Sequence, residues 1–189
     1  MKKSAITVVV CLVCLCAHLA NAQTNTVSSN ARKWGFETEL VQPFLPTIHI
    51  IRFQTTKTLY TSASTHGDLL IGMWIRPNVK HDVVEKINEY MVMVGYRQYF
   101  WKGLHLEAKS NMGYAWGTKN LIDGKDYETP TWFWESNIGY KFNFINREKQ
   151  NLYFIANAGA LGNIVADIGP RGGKPDNFLQ AGLLFGINF

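Results

Sequence analysis

Leu179-Gln180-Ala181-Gly182-Leu183-Leu184-Phe185-Gly186-Ile187-Asn188-Phe189 closes the chain, and it alternates with period two. Counted back from the end, one face reads Phe189, Ile187, Phe185, Leu183, Ala181 and Leu179. The other reads Asn188, Gly186, Leu184, Gly182 and Gln180. Side chains along a strand point to opposite sides, so this is a strand with one apolar face and one small or polar face.

The same alternation recurs upstream. In 131–144, Trp132, Trp134, Ser136, Ile138, Tyr140, Phe142 and Phe144 oppose Phe133, Glu135, Asn137, Gly139, Lys141 and Asn143. Segments 104–116, 89–100 and 34–41 repeat it, and weaker patterns cover about 47–59, 68–76 and 152–162. The count is eight strands, with a ten-strand arrangement as the alternative and the register of the second and third strands left open. Only Trp101-Lys102 separates the fourth strand from the fifth, and Ile145 to Asn151 separates the sixth from the seventh. The connections after the third, fifth and seventh read longer: Pro77 to Asn88, Gly117 to Pro130, and Asn163 to Asp176. The first pair, joined near Pro43 to Pro46, reads as a short link that breaks this rule.

Ahead of the strands, Lys2-Lys3, an apolar run from Ala5 to Ala17 and Ala20-Asn21-Ala22 have the layout of a cleaved export signal over 1–22. A polar lead over 23–32 and one domain over 33–189 follow. Cys11, Cys14 and Cys16 all lie in the signal, so disulfides, cysteine-zinc sites and thiol catalysis are excluded for the mature chain. Taking Lys2 and Lys3 from the 19 basic residues leaves 17 against 14 acidic ones, a net +3 that gives no argument for nucleic acid. Charged residues make up 17% and aromatic residues 13%, too few charges for an ordinary soluble surface.

A one-faced strand pattern can close with its apolar face inward, as in a soluble secreted barrel around an apolar ligand, or outward, against lipid. The aromatic residues favour outward. Trp34, Phe100, Phe144, Phe154 and Phe189 fall at one level, and Tyr90, Tyr114, Trp116, Trp132 and Trp134 at the other, as two interfacial girdles do. The expected fold is all-β: an eight-stranded antiparallel up-and-down transmembrane β-barrel. The terminal signal Phe185, Ile187, Phe189, with the export segment and eight strands, resembles the small bacterial outer-membrane barrels of the OmpX and OmpA transmembrane-domain type. That resemblance covers about 33–189. It implies a porin-like fold in the outer membrane of a Gram-negative cell envelope, contact with lipid and lipopolysaccharide, and recognition by the barrel assembly machinery.

Eight strands enclose a space that side chains fill. Glu37, Glu39, Glu89, Glu107 and Glu135, with Arg97, His105, Lys109 and Lys141, are expected to form an interior charge network that plugs it, since a lone buried charge is costly. His81, Asp82 and Glu85 are candidate loop contacts, with His81 and Glu85 on one helical turn as a weak divalent site against the blander reading of a solvated turn. Arg171 and Lys174 are candidates for lipopolysaccharide phosphate. No catalytic residue, metal or cofactor is assigned, and a protein partner is left open. The preferred role is structural, or surface interaction through the loops. The alternatives are a lipid A-modifying enzyme, for which Ser110 and Ser136 lack a convincingly placed histidine, and the soluble barrel.

Overall fold

A computed structural model describes residues 34–45, 48–146, 150–165 and 177–189. The export signal and polar lead expected over 1–32 lie outside them. Eight strands run in chain order: β1 (Trp34–Glu39), β2 (Ile51–Thr61), β3 (His66–Val79), β4 (Val84–Trp101), β5 (Leu104–Asn120), β6 (Tyr127–Asn146), β7 (Asn151–Val165) and β8 (Asn177–Asn188). Each pairs antiparallel with its successor, and β8 pairs back onto β1, with Gly35 opposite Asn188 and Glu39 opposite Leu184. The sheet is therefore a closed barrel in which every strand has a neighbour on both sides. A ten-strand arrangement does not form among the described residues.

The shear follows from the register. From Phe36 the paired residues run through Thr55, Ile71, Val94, Ser110, Trp134 and Gly162 to Asn177. Across the closing seam, however, Phe36 pairs with Ile187. The offset, 187 minus 177, is ten residues. A stagger of that size on eight strands tilts them by roughly 40° to the barrel axis and leaves a bore that side chains fill.

Strand parity decides which residues fill it. On β1, Glu37 and Glu39 are buried while Trp34 and Phe36 are exposed; on β4, Met91 and Met93 are buried while Val92 and Val94 are exposed. The polar face thus points inward and the apolar face outward. A soluble barrel around an apolar ligand needs the reverse, and that alternative is withdrawn. The outward aromatic residues gather at two levels. Phe144, Phe154 and Phe185 pack ring to ring, with centroids 4.9, 5.7 and 6.2 Å apart, toward the end holding Trp34 and Phe189. Trp116 packs on Tyr90 and Tyr114 at 5.3 and 4.9 Å toward the other end.

The connections differ from the sequence expectation. Much of Pro77 to Asn88 and of Gly117 to Pro130 is strand, because β3 reaches Val79, β4 starts at Val84, β5 reaches Asn120 and β6 starts at Tyr127. Loops 80–83 and 121–126 remain. The physical reason is burial: Val79, Val84, Ile87 and Ala115 form a small apolar core that keeps these strands paired beyond the girdle. The first connection is the opposite case. It spans 40–50, so it is long, and it carries a short 3-10 turn at Gln42–Phe44.

Candidate functional site

The interior below the upper girdle is a continuous ion-pair chain. Arg97 on β4 sits at its centre, with no exposed surface. Its two terminal nitrogens donate to Glu37 at 2.7 and 2.9 Å, a fork-to-fork pairing, and its Nε donates to Glu107 at 2.8 Å. Arg97 and Glu107 are direct cross-strand partners, so the β4–β5 register alone brings them together. Lys109 Nζ lies 2.6 Å from Glu107 and 3.8 Å from Glu135. Arg52 on β2 completes the chain across the bore, with two bonds to Glu135 at 2.8 and 3.1 Å.

Carboxylates and cations alternate along this chain. Glu37, Glu107 and Glu135 face Arg52, Arg97 and Lys109, so the six formal charges cancel. Neutral donors take the remaining lone pairs. Gln54 and Tyr153 donate to Glu37 at 2.5 and 2.9 Å, Asn137 to Glu107 at 3.2 Å, and Asn111 and Gln180 to Glu135 at 3.1 and 3.3 Å. These bonds offset the desolvation of the carboxylates, which otherwise exceeds the Coulomb gain, while Arg52 Nε and Lys109 Nζ stay buried without a hydrogen-bond partner among the described residues and rest on charge alone.

The other expected interior residues are placed around this chain. Glu39 accepts from the backbone nitrogens of Val41 and Leu183 at 3.3 and 3.0 Å, which makes it a seam fastener outside the ion-pair chain. Glu89 pairs separately with Arg76 at 2.6 Å, nearer the long-strand end. Lys141 lies over the Tyr153 ring, 3.7 Å from its centroid, with Tyr99 at 5.8 Å. His105 contacts the Gly103 carbonyl oxygen through Nδ1 at 3.1 Å and packs on Tyr99. Its closeness in sequence to Glu107 produces no His–carboxylate bond, because Glu107 is taken by Arg97, Lys109 and Asn137.

Sequence reading missed Arg52, Gln54, Arg76, Tyr99, Tyr153 and Gln180. Arg52 and Gln54 share a parity with Thr56 and Thr58, which was the available signal, but it was diluted by the weak alternation of that segment. Tyr99 shares the parity of Arg97, and Tyr153 alternates with the girdle residue Phe154, so strand parity was the available signal for both, and both are buried.

The loop candidates do not assemble. Glu85 lies in β4, exposed and 3.5 Å from Lys119, so no helical turn joins it to His81. His81 Nδ1 accepts from the Val83 backbone nitrogen at 3.3 Å, and Asp82 sits exposed in the same four-residue loop. Among the described residues no group of three His, Cys, Asp or Glu side chains is placed to hold a metal. Arg171 and Lys174 lie outside the described residues. On the outer face, Ser110 accepts from Trp132 Nε1 at 2.8 Å, while His105 on the same strand faces inward. That strand therefore brings no serine and histidine together, and the lipid A enzyme alternative gains nothing from it.

No family model, curated protein or solved structure matches this chain. Membership of the OmpX and OmpA type is accordingly not asserted. The lipopolysaccharide contact, the recognition of Phe185, Ile187 and Phe189 by an assembly machinery, and the Gram-negative source all rested on that likeness and are withdrawn with it. The porin-like description is corrected as well, because an ion-pair chain runs across the bore. No helix among the described residues is long and apolar enough to cross a membrane, which leaves open a crossing made by strands.

Proposed function

We propose that this chain is a bilayer-spanning, plugged barrel with a structural role, and that it does not conduct. The observation carrying this reading is the inversion of a soluble protein. Six neutralising charges sit at the centre, while Phe36, Val92, Met112, Ile138 and Phe142 are 42 to 58% exposed on the outside. An apolar surface of this extent on a closed sheet is stable only against hydrocarbon, where closure also satisfies the backbone. The bore is occupied by the side chains that bind one another, so a solute has no continuous polar path.

The test is refolding of the full chain into phosphatidylcholine vesicles, followed by gel electrophoresis with and without boiling and by planar-bilayer recording. A heat-shifted, vesicle-bound band with no steady conductance is expected. A chain that stays in the aqueous phase overturns the membrane reading, and open-channel current overturns the plug.

A further inference from the structure

One sector of the outer wall is polar. On β1 to β4, toward the end holding Trp34 and Phe189, the outward residues include Thr38, Thr55, Lys57, Tyr60 and Tyr96. The hydroxyls here are satisfied on the protein. Thr38 and Thr55 each donate through Oγ1 to a carbonyl oxygen of the neighbouring strand, that of Arg52 and of Ile71, at 3.0 Å. Tyr60 and Tyr96 both donate to Gln98 Oε1, at 2.5 and 2.6 Å. Gln98 Nε2 donates in turn to the carbonyl oxygens of His66 and Tyr99, at 3.2 and 2.9 Å. A wall against hydrocarbon requires this, since no water completes the bonds there.

Lys57 is the exception. It is exposed while its neighbour Thr56 is buried, so its side chain points away from the bore. Among the described residues no carboxylate pairs with its ammonium. Its cross-strand partner is Trp34, and its Nζ lies 5.1 Å from the Trp34 ring centroid. That contact holds the ammonium at the aromatic girdle, the level at which a bilayer carries its headgroups. A cation on a lipid-facing wall costs free energy until a counter-charge reaches it.

We propose that Lys57, seated on Trp34, binds the phosphate of one phospholipid at this rim of the barrel. The inference rests on the bilayer reading above. The position is one negative charge short, and phosphate is the anion that a phospholipid presents at girdle depth. A second copy of the chain does not supply it, because Glu37, Asp68 and Glu107, the described carboxylates of this half, are all buried. Phe36, next above Trp34 on the same face, is exposed to the acyl chains. A lipid therefore gains apolar contact that a free phosphate ion lacks. Lys102 is the internal comparison. Its Nζ lies 4.9 Å from the Trp101 ring centroid, but it stands in the turn after β4, off the wall.

Native mass spectrometry of the full refolded barrel in an uncharged detergent tests this. The probes are dilauroyl phosphatidylglycerol and dilauroylglycerol, which share their tails and differ in the phosphate-bearing headgroup. One phosphatidylglycerol per barrel is expected, bound about tenfold tighter than dilauroylglycerol, as a charge-assisted bond confers. Lys57→Met should abolish that preference, Lys57→Arg should keep it, and Lys102→Met should leave it unchanged. Lys57→Gln serves where Lys57→Met loses its heat shift. Equal binding of the two lipids, an undiminished preference in Lys57→Met, or an equal loss in Lys102→Met overturns the inference. Displacement of the lipid by excess inorganic phosphate overturns the lipid as the source of the anion. A chain that never enters vesicles fails the bilayer reading instead, whichever lipid it binds.

Discussion

Replacing Arg97 with methionine removes the centre of the ion-pair chain and little of its volume. Arg97 supplies two of the donors to Glu37 and one or more to Glu107, all at 2.6 to 2.9 Å and all without exposed surface. In its absence Glu37 keeps only Gln54 and Tyr153, and Glu107 keeps Lys109 and Asn137. The five charges that remain then sum to −1 in a site closed to water. Breaking a buried pair from one side costs about 3–5 kcal/mol, most of it the charge left behind. The double variant Arg97→Met, Glu37→Gln removes that charge, leaving two carboxylates against two cations, and should recover more than half of the loss. Urea unfolding in lipid vesicles, followed by tryptophan fluorescence, measures both. A single variant within 1 kcal/mol of the wild type, or a double variant worse than the single, would refute the claim that charge compensation holds the interior together.

Gly113→Ala places a Cβ against the Tyr90 carbonyl oxygen on the neighbouring strand. It should cost about 1–3 kcal/mol in the same unfolding assay, since backbone cannot yield as a side chain does. Arg52→Met should be as damaging as Arg97→Met to within about 2 kcal/mol, although no strong sequence pattern marks it, because it leaves Glu135 with Lys109 at only 3.8 Å. Asp123, in the 121–126 loop, is held below the usual aspartate range chiefly by the Tyr127 hydroxyl, which donates to it at 2.5 Å, and by the Lys125 backbone nitrogen. A lowered folded pKa stabilises above the unfolded value of 3.8, and this contribution is lost as pH falls through the folded value. Tyr127→Phe should therefore raise the Asp123 carboxyl titration measured by NMR, and an unchanged midpoint would assign the shift elsewhere.

The alternation that ends at Phe189 was enough to assign faces. Period two carries over directly to a pleated sheet, so Glu37, Glu107 and Glu135 were legible as one side and Phe36, Ile138 and Phe185 as the other. Sequence separation fails for partnership. Glu37 and Arg97 lie 60 residues apart, and Arg52 and Glu135 lie 83 apart. Nothing local fixes those distances. They follow from the ten-residue stagger, which is a property of all eight pairings together.

The strand boundaries divide in the same way. Polar residues and prolines near 77–88 and 117–130 read as loop by composition, yet the small core of Val79, Val84, Ile87 and Ala115 keeps them in the sheet. Burial contributed by neighbouring strands outweighs local preference there. The sequence by itself determined that this chain is a sheet with unlike faces, because side-chain direction alternates whatever the strand pairs with. Only the tertiary structure decided which charges meet, that the polar face lies inside a closed barrel, and that β1 stops short of its partner. Those depend on closure, and closure is set by contacts between residues that the chain keeps far apart.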